Sequence, residues 1–113
     1  MINAVFLVDA IFTSQGKYMK TLAYIYLMII RLKKGESIEY KAKQCGKSVQ
    51  EIEELNGFLP KENDWFYVSN VDNIYVVNVF DDPFSASKKT GLKVEEILKR
   101  VDGVFEAGKE FYY

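Results

Sequence analysis

Ile30-Arg-Leu32 alternates apolar and polar positions with the two-residue period of a strand. Lys33-Lys-Gly35 turns the chain, and Ser37 stands where it can cap a helix over about 38–45. Ile38, Ala42 and Cys45 recur at helical spacing and share one face. Gly46 ends that helix. Ser48-Val-Gln-Glu51 holds a serine and a glutamate three residues apart, the pattern of a reciprocal N-terminal cap. A second helix therefore starts here, with Val49, Ile52 and Leu55 as its apolar stripe, and Asn56-Gly57 stops it. Trp65-Phe-Tyr-Val68 is rich in strand formers and closes the unit.

The same order returns 45 positions later. Gly46-Lys-Ser-Val-Gln-Glu-Ile52 aligns with Gly91-Leu-Lys-Val-Glu-Glu-Ile97, Phe66-Tyr67 with Phe111-Tyr112, and Ile30 and Leu32 with Tyr75 and Val77. The second copy reads as a strand at Tyr75–Val79 and a cap-plus-proline helix start at Asp82-Pro83. A short helix over 84–90 follows, then Gly91, a second helix at Val94–Val101, a turn at Asp102-Gly103 and a return strand at Phe111–Tyr113. A repeat of this length is one supersecondary unit copied. The prediction is an α+β fold with two tandem strand–helix–helix–strand units, residues 29–68 and 74–113, joined by the polar stretch 69–73. Units this small bury little surface alone, so each is expected to lean on its neighbour.

Residues 1–28 fall outside the repeat. Val5–Val8 and Leu22–Met28 have strand composition, and Thr13-Ser-Gln-Gly16 suits a turn between them. The expectation is a β-hairpin-like segment leading into the first unit and needing a cover, either the repeats, a partner protein or a second copy. The alternative is a targeting segment, since Lys17 and Lys20 precede an apolar run from Thr21 to Ile30. That run is too short to span a bilayer, and no small-residue cleavage site follows it.

Composition narrows the chemistry. With 49 % apolar and 27 % charged residues in 113, the chain is globular, not disordered. A net charge of −1 argues against nucleic acid as partner. There is no histidine, which removes the commonest general base and metal ligand and any Ser-His or Cys-His nucleophile pair. The single cysteine, Cys45, forms no intramolecular disulfide or zinc pair and reads as a small, partly buried residue at a helix end. The glycines are scattered, not gathered into a phosphate loop. No cofactor, metal site or catalytic residue is implied. Two carboxylates alone can hydrolyse a glycoside, but nothing singles out such a pair. Most of the tyrosines and phenylalanines fall in predicted strands and are expected in the core. Trp65, near the closing turn of the first copy, is the exception.

The repeat resembles the LysM domain family. Its pattern runs strand, Gly-Asp-Thr-Leu, a short helix ending in glycine, Val-x-x-Leu-x-x-x-Asn, a glycine-containing turn and a closing strand. Gly35-Glu-Ser-Ile38 is similar to the first element, Gly46 to the helix-ending glycine, and Val49, Ile52 and Asn56 to the second-helix signature. In the second copy Gly91, Val94 and Ile97 match, and Glu106-Ala-Gly-Lys-Glu-Phe111 resembles the ending. Three departures stand out: Phe80-Asp-Asp-Pro83 replaces the first element, Val101 replaces asparagine, and Lys41 takes a usually apolar position.

What the resemblance implies is non-catalytic binding of N-acetylglucosamine-containing glycan, of the peptidoglycan or chitin type, at the cell envelope or outside the cell. It suggests a bacterial wall or spore protein. The family's shallow groove lies between the loop before the first helix and the loop after the second. Here the first groove would be lined by Gly35, Glu36, Ser37 and Ile38, opposite Asn56, Gly57, Phe58 and Leu59. The weaker second groove would use Asp81, Asp82, Pro83 and Phe84, opposite Asp102, Gly103 and Val104. The competing function is a diverged interaction or assembly module without sugar binding. In that reading both loops merely cap helices.

Overall fold

The structure, a computed structural model, describes residues 27–113 throughout and, before them, the backbone of residues 2–8, 11–12, 18–19 and 23–26. It is an α+β fold. Strand β1 (Ile2–Val8) pairs antiparallel with β4 (Ala23–Arg31), with Val8 opposite Ala23. Between them β2 (Ile11–Phe12) pairs with β3 (Tyr18–Met19). The turn expected at 13–16 lies outside the described residues. β4 then pairs on its other edge with β5 (Trp65–Ser69), giving a three-stranded sheet in the order β1-β4-β5. The return strand of the N-terminal pair and the opening strand of the first repeat are thus one element.

Helices α1 (Ile38–Gln44) and α2 (Val49–Asn56) connect β4 to β5. The second repeat has the same order: β6 (Ile74–Val76), α3 (Pro83–Thr90), α4 (Val94–Arg100) and β7 (Glu110–Tyr112). Its two strands pair antiparallel. The 45-position offset holds at the level of single residue pairs. Ile29, Ile30 and Arg31 face Tyr67, Phe66 and Trp65; Ile74, Tyr75 and Val76 face Tyr112, Phe111 and Glu110. It holds for single hydrogen bonds too. The Leu32 amide donates to the Asp64 carbonyl at 2.9 Å, and the Val77 amide to the Lys109 carbonyl at 2.9 Å.

Local chemistry explains the helix limits. Ser37 Oγ accepts from the Tyr40 amide, and Ser48 and Glu51 form the reciprocal cap expected at α2. Asp82 and Ser85 do the same at α3, with Pro83 at the first helical position, where its missing N–H costs nothing. Gly57 and Gly91 close α2 and α3 at φ +78, the left-handed conformation that glycine adopts without strain.

Each repeat has its own core. Ile30, Leu32, Ile38, Ala42, Cys45, Ile52, Phe66 and Val68 are buried in the first; Tyr75, Val77, Ala86, Ile97, Val101 and Phe111 are buried in the second. Tyr112 crosses over: it belongs to β7 but is buried with the first core. Burying a side chain of the size of Phe66 or Phe111 stabilises by about 1.5–3 kcal/mol, so these central pairs anchor their units.

Four expectations need correction. Leu55 is 43 % exposed, because the third core-facing position of α2 is taken by Asn56, whose amide bonds backbone. The second repeat's opening strand ends at Val76, since Asn78 and Asp81 fold the next residues into a turn. Its return strand is Glu110–Tyr112, and the Tyr113 amide instead donates to the Asn73 carbonyl. Cys45 is fully rather than partly buried, and burial pushes its thiol pKa up to about 12, against the pull of Lys41 and Arg100. Such a thiol stays protonated and unreactive.

Candidate functional site

Gly35 opens the first predicted loop at φ +86, and its amide donates to Glu62 Oε1 at 3.1 Å. Glu62 lies in the stretch between α2 and β5, so this bond ties the two loops of the first unit together. Glu62 carries no mark of this role in the sequence, because its neighbours are polar and follow no spacing pattern. At the position 45 residues on stands Ala107, and among the described residues no hydrogen bond or ion pair joins 80–84 to 102–104.

Several of the predicted polar groups are already committed. Glu36 Oε1 accepts the Lys33 amide at 2.8 Å, and Oε2 meets Lys41 Nζ at 2.7 Å. Burial would raise the Glu36 pKa, but the bonds from Lys41 and Lys33 win and lower it. Lys41 is itself buried, with Nζ 5.7 Å from the Tyr112 ring centroid. Its charge survives burial through Glu36, which raises its pKa. Ser37 caps α1, and Ile38 is buried in the core. The Asn56 amide donates to the Ile52 and Tyr67 carbonyls and accepts the Tyr67 amide at 2.7 Å, stitching α2 to β5.

What remains open in the first unit is the segment after α2. Gly57 has φ +78 and nothing within 4 Å of where a β-carbon would stand. Phe58 and Leu59 are 43 % and 46 % exposed. Among the described residues their backbone amides have no hydrogen-bond partner. A small surface with two free donors beside two apolar side chains can take a carbonyl and a methyl together.

The second unit differs. Asp81 repeats the Glu36 turn, its Oδ2 accepting the Asn78 amide at 3.0 Å, and Oδ1 meets Ser85 Oγ and Lys89 Nζ, each at 3.1 Å. The Asn78 amide is the main cause of its pKa being held down to about 2; burial opposes, and Tyr75, Lys89 and Ser85 assist. The Tyr75 hydroxyl is buried nearby, outside hydrogen-bond geometry. Asp82 and Pro83 form the start of α3. Asp102 pairs with Lys43 at 2.9 Å, across to the first unit. The amides of Asp102, Gly103 and Val104 all donate within their own turn, at 3.3, 2.8 and 3.1 Å. Its loops also expose large apolar side chains: Val79, Phe80 and Phe84 at 75 %, 94 % and 71 %, with Val104 at 48 %.

Two sizeable cavities lie elsewhere. One of about 790 Å3 between the repeats touches the predicted sites only at Asp102 and Gly103. One of about 610 Å3, lined by Trp65, Ile74, Val76 and Tyr112 among others, touches them only at Glu36. Trp65 is 57 % exposed there, under the Arg31 guanidinium at 5.9 Å. Among the described residues no cluster of acidic or cysteine side chains could hold a metal ion, and no helix is long and apolar enough to cross a membrane.

No family model matches the chain, and no curated protein matches it. Among solved structures the chain is similar to the Bacillus cereus spore cortex-lytic enzyme SleL, at 21 % identity and a TM-score of 0.35. That match covers 76 % of this chain and 22 % of the enzyme's chain.

Proposed function

We propose that this protein is a non-catalytic binder of N-acetylglucosamine-containing glycan, built from two LysM-like repeats and acting at the cell envelope. The observation that carries the reading is the pair of free amides at Phe58 and Leu59 beside their own half-exposed side chains. An N-acetyl group presents a carbonyl to such donors and a methyl to such apolar surface. Gly57 leaves the approach open. Asn56 and Glu36 hold the loops in place and do not meet the ligand with their side chains. The first unit carries most of the affinity, because the matching amides of the second are used internally.

A shallow single groove should bind a chito-oligosaccharide in about the millimolar to micromolar range, or roughly −4 to −8 kcal/mol. Gly57→Val and Gly103→Val are matched probes. Both glycines sit at φ +78 with open space around them, so the backbone strain is alike. Titrating the folded variants of the whole 113-residue chain should show a larger loss for Gly57→Val. Equal losses, or a larger one for Gly103→Val, would overturn the asymmetry.

A second reading, an assembly module, is favoured by Val79, Phe80, Phe84 and Val104, whose exposed apolar side chains surround the second unit's loops. No binding of chito-oligosaccharide or insoluble peptidoglycan by the parent protein would select it over the first.

A further inference from the structure

The 790 Å3 cavity is a groove between the repeats, with the end of α1 and the α1–α2 turn on one side and α4 on the other. Its charged lining is Lys43, Lys47, Lys99 and Arg100 against Glu96 and Asp102. That is an excess of positive charge on a chain whose net charge is −1. Lys43 is neutralised at the rim by Asp102. Among the described residues the ammonium groups of Lys47 and Lys99 have no partner.

Arg100 forms the floor. Its side chain is 12 % exposed. Nε donates to the Tyr112 carbonyl at 3.1 Å and Nη1 to the Glu96 carbonyl at 3.3 Å. Glu96 Oε2 lies 3.9 Å from Nη1, too far for a strong pair. Nη2 donates to nothing among the described residues. It rests against Gly46, where a β-carbon would overlap the guanidinium. Gly46 at φ +68 thus makes the space into which Arg100 fits. A guanidinium fixed at two atoms with a third left open is oriented before any ligand arrives, and an oxyanion is its natural acceptor.

We propose that the inter-repeat groove binds a phosphate group, with Arg100 Nη2 as the directed donor and Lys47 and Lys99 as supporting charges. The volume far exceeds a bare phosphate, so the group belongs to a larger ligand whose remainder lies along Leu98 and the Gly46 backbone. Burial lowers the Arg100 pKa while Glu96 opposes, so an added negative charge would offset the cost of placing this cation in the seam.

The 113-residue chain is titrated with inorganic phosphate and followed by the backbone amides of Gly46, Lys47 and Gly103 and the Arg100 Nε–H in NMR spectra. Sodium chloride at matched ionic strength is the control. Saturable shifts with phosphate and not with chloride are expected. Lys47→Gln combined with Lys99→Gln removes one half-buried and one exposed ammonium, neither paired among the described residues, so the fold is expected to hold and binding should weaken about tenfold. Arg100→Lys, checked for folding by circular dichroism, should remove the saturable response. Absence of saturation by about 10 mM phosphate, or equal affinity in the double variant, would overturn the proposal. Chito-oligosaccharide shifts are expected around residues 57–59 instead, so the two sites stand or fall separately.

Discussion

At the residue scale, the acidic groups of the predicted loops are structural. Glu36 and Asp81 occupy equivalent places and close the same turn through a main-chain amide. Both have lowered pKa values, Asp81 falling from 3.8 to about 2 and Glu36 lying below 4.5. A lowered carboxylate pKa contributes stability that is complete above the unfolded value and is lost as pH falls through the folded one. The protein should therefore lose stability as pH falls between about 4.5 and 2. Urea midpoints measured across that window should fall, and Asp81→Asn should flatten the fall. An unchanged profile in that variant would refute the role given to Asp81. The family resemblance placed Asp81 and Asp82 in the weaker second groove; their hydrogen bonds instead close the turn before α3 and cap its start.

At the element scale, the helix signals in the sequence correspond to observed caps at Ser37, Ser48 and Asp82. Caps are legible because they depend on residues three apart. The exception is α4. Its N-cap is Lys93, with φ −68 and ψ 150 and no side-chain hydrogen bond. Glu96 stands three residues later, where a capping-box glutamate belongs. Lys93→Ser should complete the box that Ser48 and Glu51 form in the first repeat. A gain of about 0.5–1 kcal/mol is expected in urea unfolding. A loss would mean that Glu96 is held by Arg100 more firmly than their 3.9 Å separation implies. Strand ends were less legible. Val77 and Val79 continue the strand pattern, but Val77 is bonded at the mouth of a turn and Val79 is 75 % exposed.

At the scale of the whole molecule, the repeats are joined by specific contacts. The Gln44 side chain donates to the Glu110 carbonyl at 3.0 Å, Lys43 pairs with Asp102, and Tyr112 fills the first core. Buried Lys41 is explained here: its charge lies between Glu36 and the Tyr112 ring. The equivalent Ala86, fully buried in its own unit, has no such neighbour to meet. The N-terminal strands are also part of the frame, since β4 runs unbroken into the first repeat. A chain beginning at Ile29 would lose β1 and the Leu27–Ser69 and Met28–Val68 pairings. Met28 is 4 % exposed, and its burial alone is worth about 1.5–3 kcal/mol. Calorimetry should show a clearly lower melting temperature for that chain. An unchanged one would show that these strands add nothing to the repeat core.

The sequence by itself determined the repeat, its period, the α+β class, the order of elements and most of the caps. These depend on local spacing and on side-chain chemistry that acts within a few residues. Gly57, Phe58 and Leu59 were named as site residues only through the family resemblance, alongside Gly35, Glu36, Ser37, Ile38 and Asn56. Only the tertiary structure decided which polar groups are free. Asn56 and Glu36 have the right chemistry for a ligand, but β5 and Lys41 engage them across the fold. Only the tertiary structure brought Arg100 onto Gly46, or Glu62 onto Gly35. Those pairs are far apart in the chain, and hydrogen-bond satisfaction is settled by whatever packing places within reach.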